Sequence, residues 1–291
     1  MSTRVLVTGA SGNTGRPLVR LLREQGAWVR AATRHAASPE ADEHVRFDWT
    51  DSSTHESALR DVDRIYLVAP VGVAEPEPLV QPFLALARRA GVRRVVVLSS
   101  SAIRDGDPGM GRLNHLARTM FPEWTVLRPS WFMQNFVGDH PVAHGIRAEN
   151  QIVTATGDGR VGFVDAADIA AVAVRALLDE VPHNTEHLIT GPEALSYTEV
   201  AALATELTGR EVRHLSVSTM DFADRLVAAG YPAEFASVLA GLDEEIRQGS
   251  EDRTTDTVLR VTGRTPRSLR AFLTDHLPAL HPGERGGVSR T

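Results

Sequence analysis

Short apolar runs alternate with segments of helical spacing through the first 129 positions of the chain. Arg4-Val5-Leu6-Val7-Thr8 is a β-branched run that ends at a glycine, and Leu18, Leu21 and Leu22 give segment 17–25 one apolar helical face. Further strands are predicted at 28–33, 45–47, 65–69, 95–98 and 124–127, and further helices at 79–90 and 113–120. Strands and helices that alternate at this spacing form parallel βαβ units. The pattern therefore predicts the α/β class, with a doubly wound parallel sheet.

The pattern becomes less regular after Pro129. It predicts strands at 161–164 and 186–190 and helices at 167–178, 198–207 and 235–248. No linker rich in glycine, serine or proline separates the two parts, so we expect them to pack as one integrated unit. We expect a nucleotide-binding core over 1–129, a smaller substrate-binding lobe over 130–277 that can return strands to the sheet, and a flexible tail over 278–291.

A glycine-rich loop, Thr8-Gly9-Ala10-Ser11-Gly12-Asn13-Thr14-Gly15, joins the first strand to the first helix. Gly9 permits the tight turn, Gly12 lacks the Cβ that would block a pyrophosphate, and Gly15 lets the helix pack closely. The free N–H groups at the helix start would face the phosphates. Glycine triplets occur by chance, but a position between strand and helix favours a dinucleotide site over a plain turn. The loop predicts a Rossmann-type core with cofactor contacts at Gly9, Ser11, Gly12, Asn13, Thr14 and Gly15.

Thr33 and Arg34 end the second strand, where an NAD enzyme carries an acidic residue against the ribose 2′-hydroxyl. A guanidinium at this position pairs with a 2′-phosphate, which favours NADP(H) over NAD(H). One charge-assisted hydrogen bond contributes about 1.5–3 kcal/mol, or roughly a ten- to hundredfold preference. The alternative is a solvated arginine at a strand end.

Polar and small residues follow the next three strands. Asp48 and Trp49 follow the third strand, where Asp48 either meets the adenine or caps a turn. Ala69 and Pro70 follow the fourth strand and Ser99 follows the fifth. Ligands of open α/β sheets bind at the carboxyl ends of the strands, so these residues are further predicted cofactor contacts.

Several segments carry a family resemblance that covers most of the chain. Besides the first strand and loop, these are Gly-Val-Arg-Arg-Val-Val at 91–96, Leu-Arg-Pro-Ser-Trp-Phe-Met-Gln-Asn-Phe at 127–136 and Phe-Val-Asp-Ala-Ala-Asp-Ile-Ala at 163–170. They resemble the NmrA-like atypical short-chain dehydrogenases/reductases, and within that group the bacterial relatives of ergot-alkaloid dehydrogenases of the agroclavine type. The segment at 127–136 is the most specific of them.

The resemblance implies that Ser130, Trp131 and Phe132 flank the nicotinamide, and that Trp131, Gln134, Asn135 and Phe136 border the substrate. We add Tyr231 to the expected substrate contacts. Ordinary core packing is the alternative for Trp131, Phe132 and Phe136. Asp165 and Asp168 fit helix caps better than catalytic roles.

The sequence lacks the Tyr-x-x-x-Lys pair that typical short-chain dehydrogenases use. Lysine is absent, and none of the three tyrosines, Tyr66, Tyr197 and Tyr231, lies in the predicted helix at 113–120. Hydride addition to an iminium carbon needs no general acid, and reduction of a quinone or enone spreads the incoming charge, so Ser100 or a water would suffice. His115 is the one histidine to test as an acid, although a solvent-facing role is the alternative.

We therefore expect an NADPH-dependent reductase of a conjugated or iminium-type small molecule in specialised metabolism. The alternatives are an NADP(H)-sensing regulator of the NmrA type, which docks on a protein partner without turnover, and a non-redox cyclase or isomerase on the same fold.

Composition excludes other classes of function. The net charge of −6 is scattered along the chain, which argues against nucleic acid as a partner. No apolar run approaches the roughly 20 residues that span a bilayer and no secretory segment is present, so we expect a cytoplasmic protein without membrane contact. Cysteine is absent and the histidines lack ligand spacing, so no metal is assigned. A homodimer is left open.

Overall fold

The computed structural model describes residues 2–34 and 40–281. In that part the strands are β1 (Arg4–Thr8), β2 (Trp28–Thr33), β3 (Glu43–Arg46), β4 (Arg64–Leu67), β5 (Arg94–Leu98), β6 (Glu123–Pro129), β7 (Gln151–Thr154), β8 (Arg160–Val161), β9 (Thr185–Ile189), β10 (Leu195–Ser196) and β11 (Arg213–Ser216). The α-helices are α1 (Gly15–Glu24), α2 (His55–Ala58), α3 (Glu77–Arg89), α4 (Met110–Met120), α5 (Pro141–Glu149), α6 (Ala166–Leu178), α7 (Tyr197–Thr208), α8 (Thr219–Ala228), α9 (Ala233–Arg247), α10 (Thr257–Thr262) and α11 (Leu269–Asp275).

The chain divides into two compact units. The first unit comprises Met1–Pro129, Ala166–Ile189 and Thr257–Arg264, and the second comprises Ser130–Asp165, Thr190–Asp256 and Thr265–Thr291, in both cases as far as these residues are described. The chain leaves the first unit after β6, returns to it with α6 and β9, and returns once more with α10.

One parallel sheet of seven strands, in the order β3-β2-β1-β4-β5-β6-β9, forms the first unit. The strand order reverses direction between β1 and β4, which is the point where open α/β sheets bind ligands. β9 extends the sheet next to β6, with Thr125 opposite Thr185. These findings confirm the predicted Rossmann-type doubly wound sheet.

Helices cover both faces of this sheet, which is why its central strands are apolar throughout. Val5, Leu6 and Val7 of β1 are all fully buried. Helices α3 and α4 pack against each other on one face, where they bury side chains of β4 and β5. Helices α1 and α6 pack together, and α6 contacts β4, β5 and β6.

Two arginines at the amino ends of strands bind the end of α6. Arg94 is only 2% exposed, and its Nη1 donates to the carbonyl oxygens of Leu177 and Asp179 at 3.1 and 2.7 Å. Its Nε donates to Glu123 at 2.7 Å. Arg64 donates to the same Leu177 carbonyl. The guanidinium groups thereby pair with carbonyls that the helix leaves unpaired at its C-terminus.

The second unit contains two small sheets and a helical core. β7 pairs with β11 in parallel and β8 pairs with β10 antiparallel. Aromatic side chains of Phe136, Phe163 and Tyr197 meet edge to face in its core. α7 begins with a capping box, in which Ser196 and Glu199 exchange hydrogen bonds with each other's backbone N–H groups.

The structure differs from the sequence prediction mainly after Pro129. α5, α8, α10, α11, β7, β10 and β11 were not predicted, because they are short or bury few apolar residues, and three of the four residues of β11 are exposed. Part of the predicted tail, 278–281, is described in the structure. Leu277–Leu280 form a 3₁₀ turn in which Leu280 is buried, and residues 282–291 lie outside the described part of the chain.

Candidate dinucleotide site

The glycine loop after β1 is shaped by contacts that only glycine permits. Gly9 has a φ of +62°, and its carbonyl oxygen accepts the N–H of Gly12 at 2.9 Å. A Cβ on Gly15 would lie 2.2 Å from that oxygen, so only glycine lets α1 start so close to the loop. A Cβ on Gly12 would meet the same oxygen at 3.2 Å and otherwise face open space.

The start of α1 is available to an anion. Thr14 is its N-cap residue but makes no side-chain cap, since its Oγ1 instead accepts the hydroxyl of buried Tyr66 at 3.0 Å. The first turn contains no acidic residue. Ser11, Gly12 and Asn13 are exposed. The exposed backbone of residues 11–13, at the positive end of the α1 dipole, is therefore open to an anion, as phosphate binding requires.

The ends of β2 and β3 bring Arg34 and Asp48 together. Arg34 is exposed, whereas Thr33 is buried and its Oγ1 lies 2.7 Å from Nε2 of His44. The pKa of the Asp48 carboxyl is lowered, first by hydrogen bonds from the N–H and hydroxyl of Thr50 and further by the charges of Arg34 and Arg46. Asp48 therefore holds a turn, and its charge lies within range of Arg34.

The other predicted contacts of the first unit also lie at strand ends. Trp49 is half-buried and packs edgewise on Phe47 and Phe83, at 4.8 and 5.3 Å between ring centroids. Ala69 and Pro70 are half-buried and follow β4. Thr8 ties β4 to β1, because its Oγ1 accepts the N–H of Val68 at 2.7 Å.

Ser99, Ser100 and Ser101 lead from the end of β5 into a turn, and we call this segment the serine turn. The Oγ of Ser99 accepts a hydrogen bond from Nδ2 of Asn114 at 3.0 Å, and the Oγ of Ser100 accepts the N–H of Ala102 at 3.3 Å. His115 is exposed on α4 and lies 3.7 Å from Asp105. Sequence reasoning missed Asn114, because an asparagine in a helix carries no signal of its partner.

The segment 130–136 belongs to the second unit, where two buried carboxylates bind it. Ser130 is buried, and its hydroxyl donates to Glu251 at 3.3 Å. Nε2 of Gln134 donates to Oδ1 of Asp165 at 2.8 Å, and Arg267 donates to Oδ2 of the same group at 3.1 Å. Glu251 and Arg267 were also missed, since they lie more than a hundred residues along the chain from their partners.

The remaining residues of the predicted substrate set differ in burial. Trp131, Phe132 and Asn135 are half-buried. Phe136 is only 1% exposed and packs on Phe163, at 5.0 Å between ring centroids. Tyr231 is half-buried and stacks on Phe235 at 6.2 Å.

The sheet and the loop together define a Rossmann-type dinucleotide-binding protein. The strand order reverses beside the loop, the crowding at Gly15 keeps the helix close, and no acid opposes a pyrophosphate at the helix start. These features fit a bound nicotinamide dinucleotide.

The sequence comparisons identify the family. Residues 9–180 match the model of the NAD(P)H-binding family, and the chain belongs to that family. It is 48% identical to the oxidoreductase YesF of Bacillus subtilis over 94% of both chains. It is 36% identical to the agroclavine dehydrogenase of Claviceps fusiformis, over 94% of this chain and 96% of that one. The chain is therefore an oxidoreductase, and the resemblance to the ergot-alkaloid dehydrogenases is confirmed.

A solved structure has the same fold. The NADPH complex of an NADPH-dependent quinone oxidoreductase from Escherichia coli superposes with a TM-score of 0.80, at 24% identity, over 94% of this chain and 99% of that one. Among the described residues, no helix has the length and apolar character that a membrane span requires.

Proposed function

We propose that the chain is an NADPH-dependent reductase of conjugated or iminium-type small organic molecules. The observation that carries this proposal is the buried face of α4, where a typical short-chain dehydrogenase keeps its tyrosine and lysine. That face consists of Gly111, Leu113, Asn114 and Ala117, none of which titrates. His115 lies on the exposed side of the same helix.

A site without a strong acid suits electrophiles that need little protonation. An iminium carbon already carries positive charge, and a quinone or enone distributes the charge of an incoming hydride over a conjugated system. The reduced nicotinamide, when bound, supplies the hydride. Among the similar proteins, one is named an agroclavine dehydrogenase and one a quinone oxidoreductase, and both names denote redox chemistry on small organic molecules.

We infer that Arg34 selects NADPH over NADH. Its side chain is exposed at the end of β2, and Asp48, a carboxylate within range of its charge, accepts two hydrogen bonds from Thr50 at Oδ1. A 2′-phosphate bears more charge than one carboxylate and offers a better partner to a guanidinium. Segment 130–277 stays our proposed substrate lobe, with Trp131, Gln134 and Asn135 as substrate contacts.

The reductase function is tested by NADPH oxidation at 340 nm with a panel of iminium salts, quinones and enones. We expect turnover with at least one class, and slower turnover when NADH replaces NADPH. A panel without any turnover, measured with protein that binds NADPH in calorimetry, contradicts the proposal.

The cofactor preference is tested by Arg34→Ala. We expect its Kd for NADPH to rise about ten- to hundredfold, with little change for NADH, because one charge-assisted contact is lost. Arg20→Ala is the matched control, since Arg20 is an exposed arginine of α1 that lies 3.7 Å from Glu24. An Arg34→Ala protein that binds both dinucleotides like the wild type refutes the assignment.

A further inference from the structure

The serine turn is held rigidly by β6. The N–H of Ser99 donates to the carbonyl of Leu127 at 2.8 Å, and the N–H of Ser101 donates to that of Pro129 at 2.9 Å. Arg128 adds a donor bond from Nη2 to the carbonyl of Ser101 at 2.9 Å and pairs with Glu186 at 2.8 Å. The backbone of Ser99 is therefore fixed at the carboxyl edge of the sheet, two strands from the glycine loop.

One buried side chain orients the hydroxyl of Ser99. Ser99 lies on the same face of β5 as Val95 and Val97, which pack in the core that α3 and α4 cover. Asn114 of α4 is 1% exposed and donates from Nδ2 to Oγ of Ser99. Because this bond uses the oxygen of Ser99, the hydroxyl proton remains able to donate elsewhere. Ser99 is half-buried, so part of its surface is open.

The other polar atom of the Asn114 amide is also buried. Its Oδ1 is buried and accepts no hydrogen bond from the residues that the structure describes. A buried polar atom without a partner costs about 1–3 kcal/mol, and an apolar side chain of the same shape would avoid that cost. The Asn114 side chain is therefore placed by its contact with Ser99 rather than by a full set of hydrogen bonds in the core.

We propose that Asn114 is a positioning residue, which holds the Ser99 hydroxyl as a hydrogen-bond donor to the substrate oxygen that gains charge during reduction. The proposal rests on the reductase function proposed above. In reduction of a quinone or enone, a hydride adds to the conjugated system and the nicotinamide becomes oxidised. The negative charge that develops on the carbonyl oxygen is stabilised by Ser99, and water then supplies the proton, so Ser99 itself stays protonated.

The mechanism makes the role of Asn114 depend on the substrate class. An iminium substrate gains no negative oxygen, because the hydride neutralises a cation. Asn114 therefore matters for quinones and enones and is dispensable for iminium ions. A purely structural role would affect both classes equally.

The first test is Asn114→Leu, assayed with NADPH against a quinone and an iminium salt. We expect kcat for the quinone to fall about 10- to 100-fold, which is less than the roughly hundred- to thousandfold loss on removing an oxyanion donor, because Ser99 itself stays in place. We expect kcat for the iminium salt and the Kd for NADPH to stay within about twofold of the wild type, and the melting temperature to stay equal or rise.

The second test is Asn114→Asp, which makes the contact titratable. A protonated aspartic acid donates to Ser99 as the amide does, whereas an ionised carboxylate accepts the Ser99 proton and removes the donor from the substrate. Quinone reduction should then fall as pH rises through the pKa of the new carboxyl. The matched control is Thr119→Asp, a carboxyl on the exposed face of the same helix, which should leave the pH profile unchanged.

Four results overturn the proposal. The first two concern Asn114→Leu: a kcat for the quinone equal to that of the wild type, or an equal loss of kcat for the quinone and the iminium salt. The third is quinone reduction by Asn114→Asp that does not fall as pH rises. The fourth is an unmutated protein that reduces only iminium salts. A wild-type protein that reduces no member of the panel refutes the reductase function itself, and the role of Asn114 with it.

Discussion

A methyl group added at Gly15 should mainly lower the stability of the fold, whereas one added at Gly12 should mainly weaken dinucleotide binding. In Gly15→Ala the new Cβ lies 2.2 Å from the carbonyl oxygen of Gly9 and 2.7 Å from Cα of Ala10, and both are backbone atoms. The start of α1 has to move to relieve this overlap. Overpacking of this kind costs about 3 kcal/mol. At about 2–4 °C per kcal/mol, the melting temperature should fall by roughly 6–12 °C.

In Gly12→Ala the new Cβ meets only the Gly9 oxygen, at 3.2 Å, so a shift of a few tenths of an ångström accommodates it. We expect a change in stability below about 1 kcal/mol. In the proposed dinucleotide site, the methyl group would nevertheless occupy space that the pyrophosphate needs. We expect the binding free energy to weaken by about 2–3 kcal/mol, which raises the Kd for NADPH roughly 30- to 150-fold.

Thermal unfolding and NADPH calorimetry on both variants measure the two effects. Gly241→Ala is the control, because its Cβ would meet nothing within 4 Å and it lies inside α9. It should gain about 0.5–1 kcal/mol of stability and bind NADPH normally. The reasoning fails if Gly15→Ala melts like the wild type, or if Gly12→Ala keeps wild-type affinity.

Three further predictions concern buried polar groups. Asp243 accepts the N–H of Ala155 at 2.8 Å, and burial raises its pKa to about 6. Since this folded-state pKa lies above the unfolded value, the carboxyl lowers stability as pH rises through about 4 to 6, by roughly 2–3 kcal/mol in total. In urea unfolding, the free energy by which Asp243→Asn exceeds the wild type in stability should therefore be larger at pH 8 than at pH 5. The same excess at both pH values would contradict this prediction. Arg94→Leu should lose about 3–5 kcal/mol in the same assay, because Glu123 and the α6 carbonyls lose their donor. The control is Arg93→Leu, which removes a partner of the same Glu123 whose side chain is 75% exposed. It should change stability by less than about 0.5 kcal/mol. Similar losses in the two variants would refute the role of Arg94. The Tyr66 hydroxyl donates to Thr14, and burial raises its pKa. Tyr66→Phe should therefore lower the free energy of unfolding by about 1 kcal/mol and leave the pH–rate profile unchanged. A large loss of turnover would instead identify Tyr66 as a proton donor.

The first 129 residues were the most predictable part of the chain. Apart from β3 (Glu43–Arg46), the strands of the first unit up to β6 are local runs of mainly apolar residues. The close contact at Gly15 agrees with the reason given for that glycine in the sequence analysis. Because parallel strands end at one edge, their last residues could be placed together without coordinates, among them Arg34, Ala69 and Ser99.

Residues after Pro129 were less predictable, because the chain leaves the first unit and returns to it. The spacing identified a helix at 167–178 and a strand at 186–190, but it did not show that β9 would lie beside β6. Short elements such as α5 and β11 take their conformation from tertiary contacts more than from their own periodicity.

The sequence by itself determined the class of fold, the glycine-rich loop after β1 and the edge of the sheet at which we propose that the dinucleotide binds. Those features depend on neighbouring residues, whose spacing sets backbone conformation and burial. Only the tertiary structure decided which side chains meet, such as Asn114 with Ser99 and Glu251 with Ser130, which are separated by 15 and 121 positions. A hydrogen bond across such separations depends on the path of the whole chain, and no local pattern encodes that path.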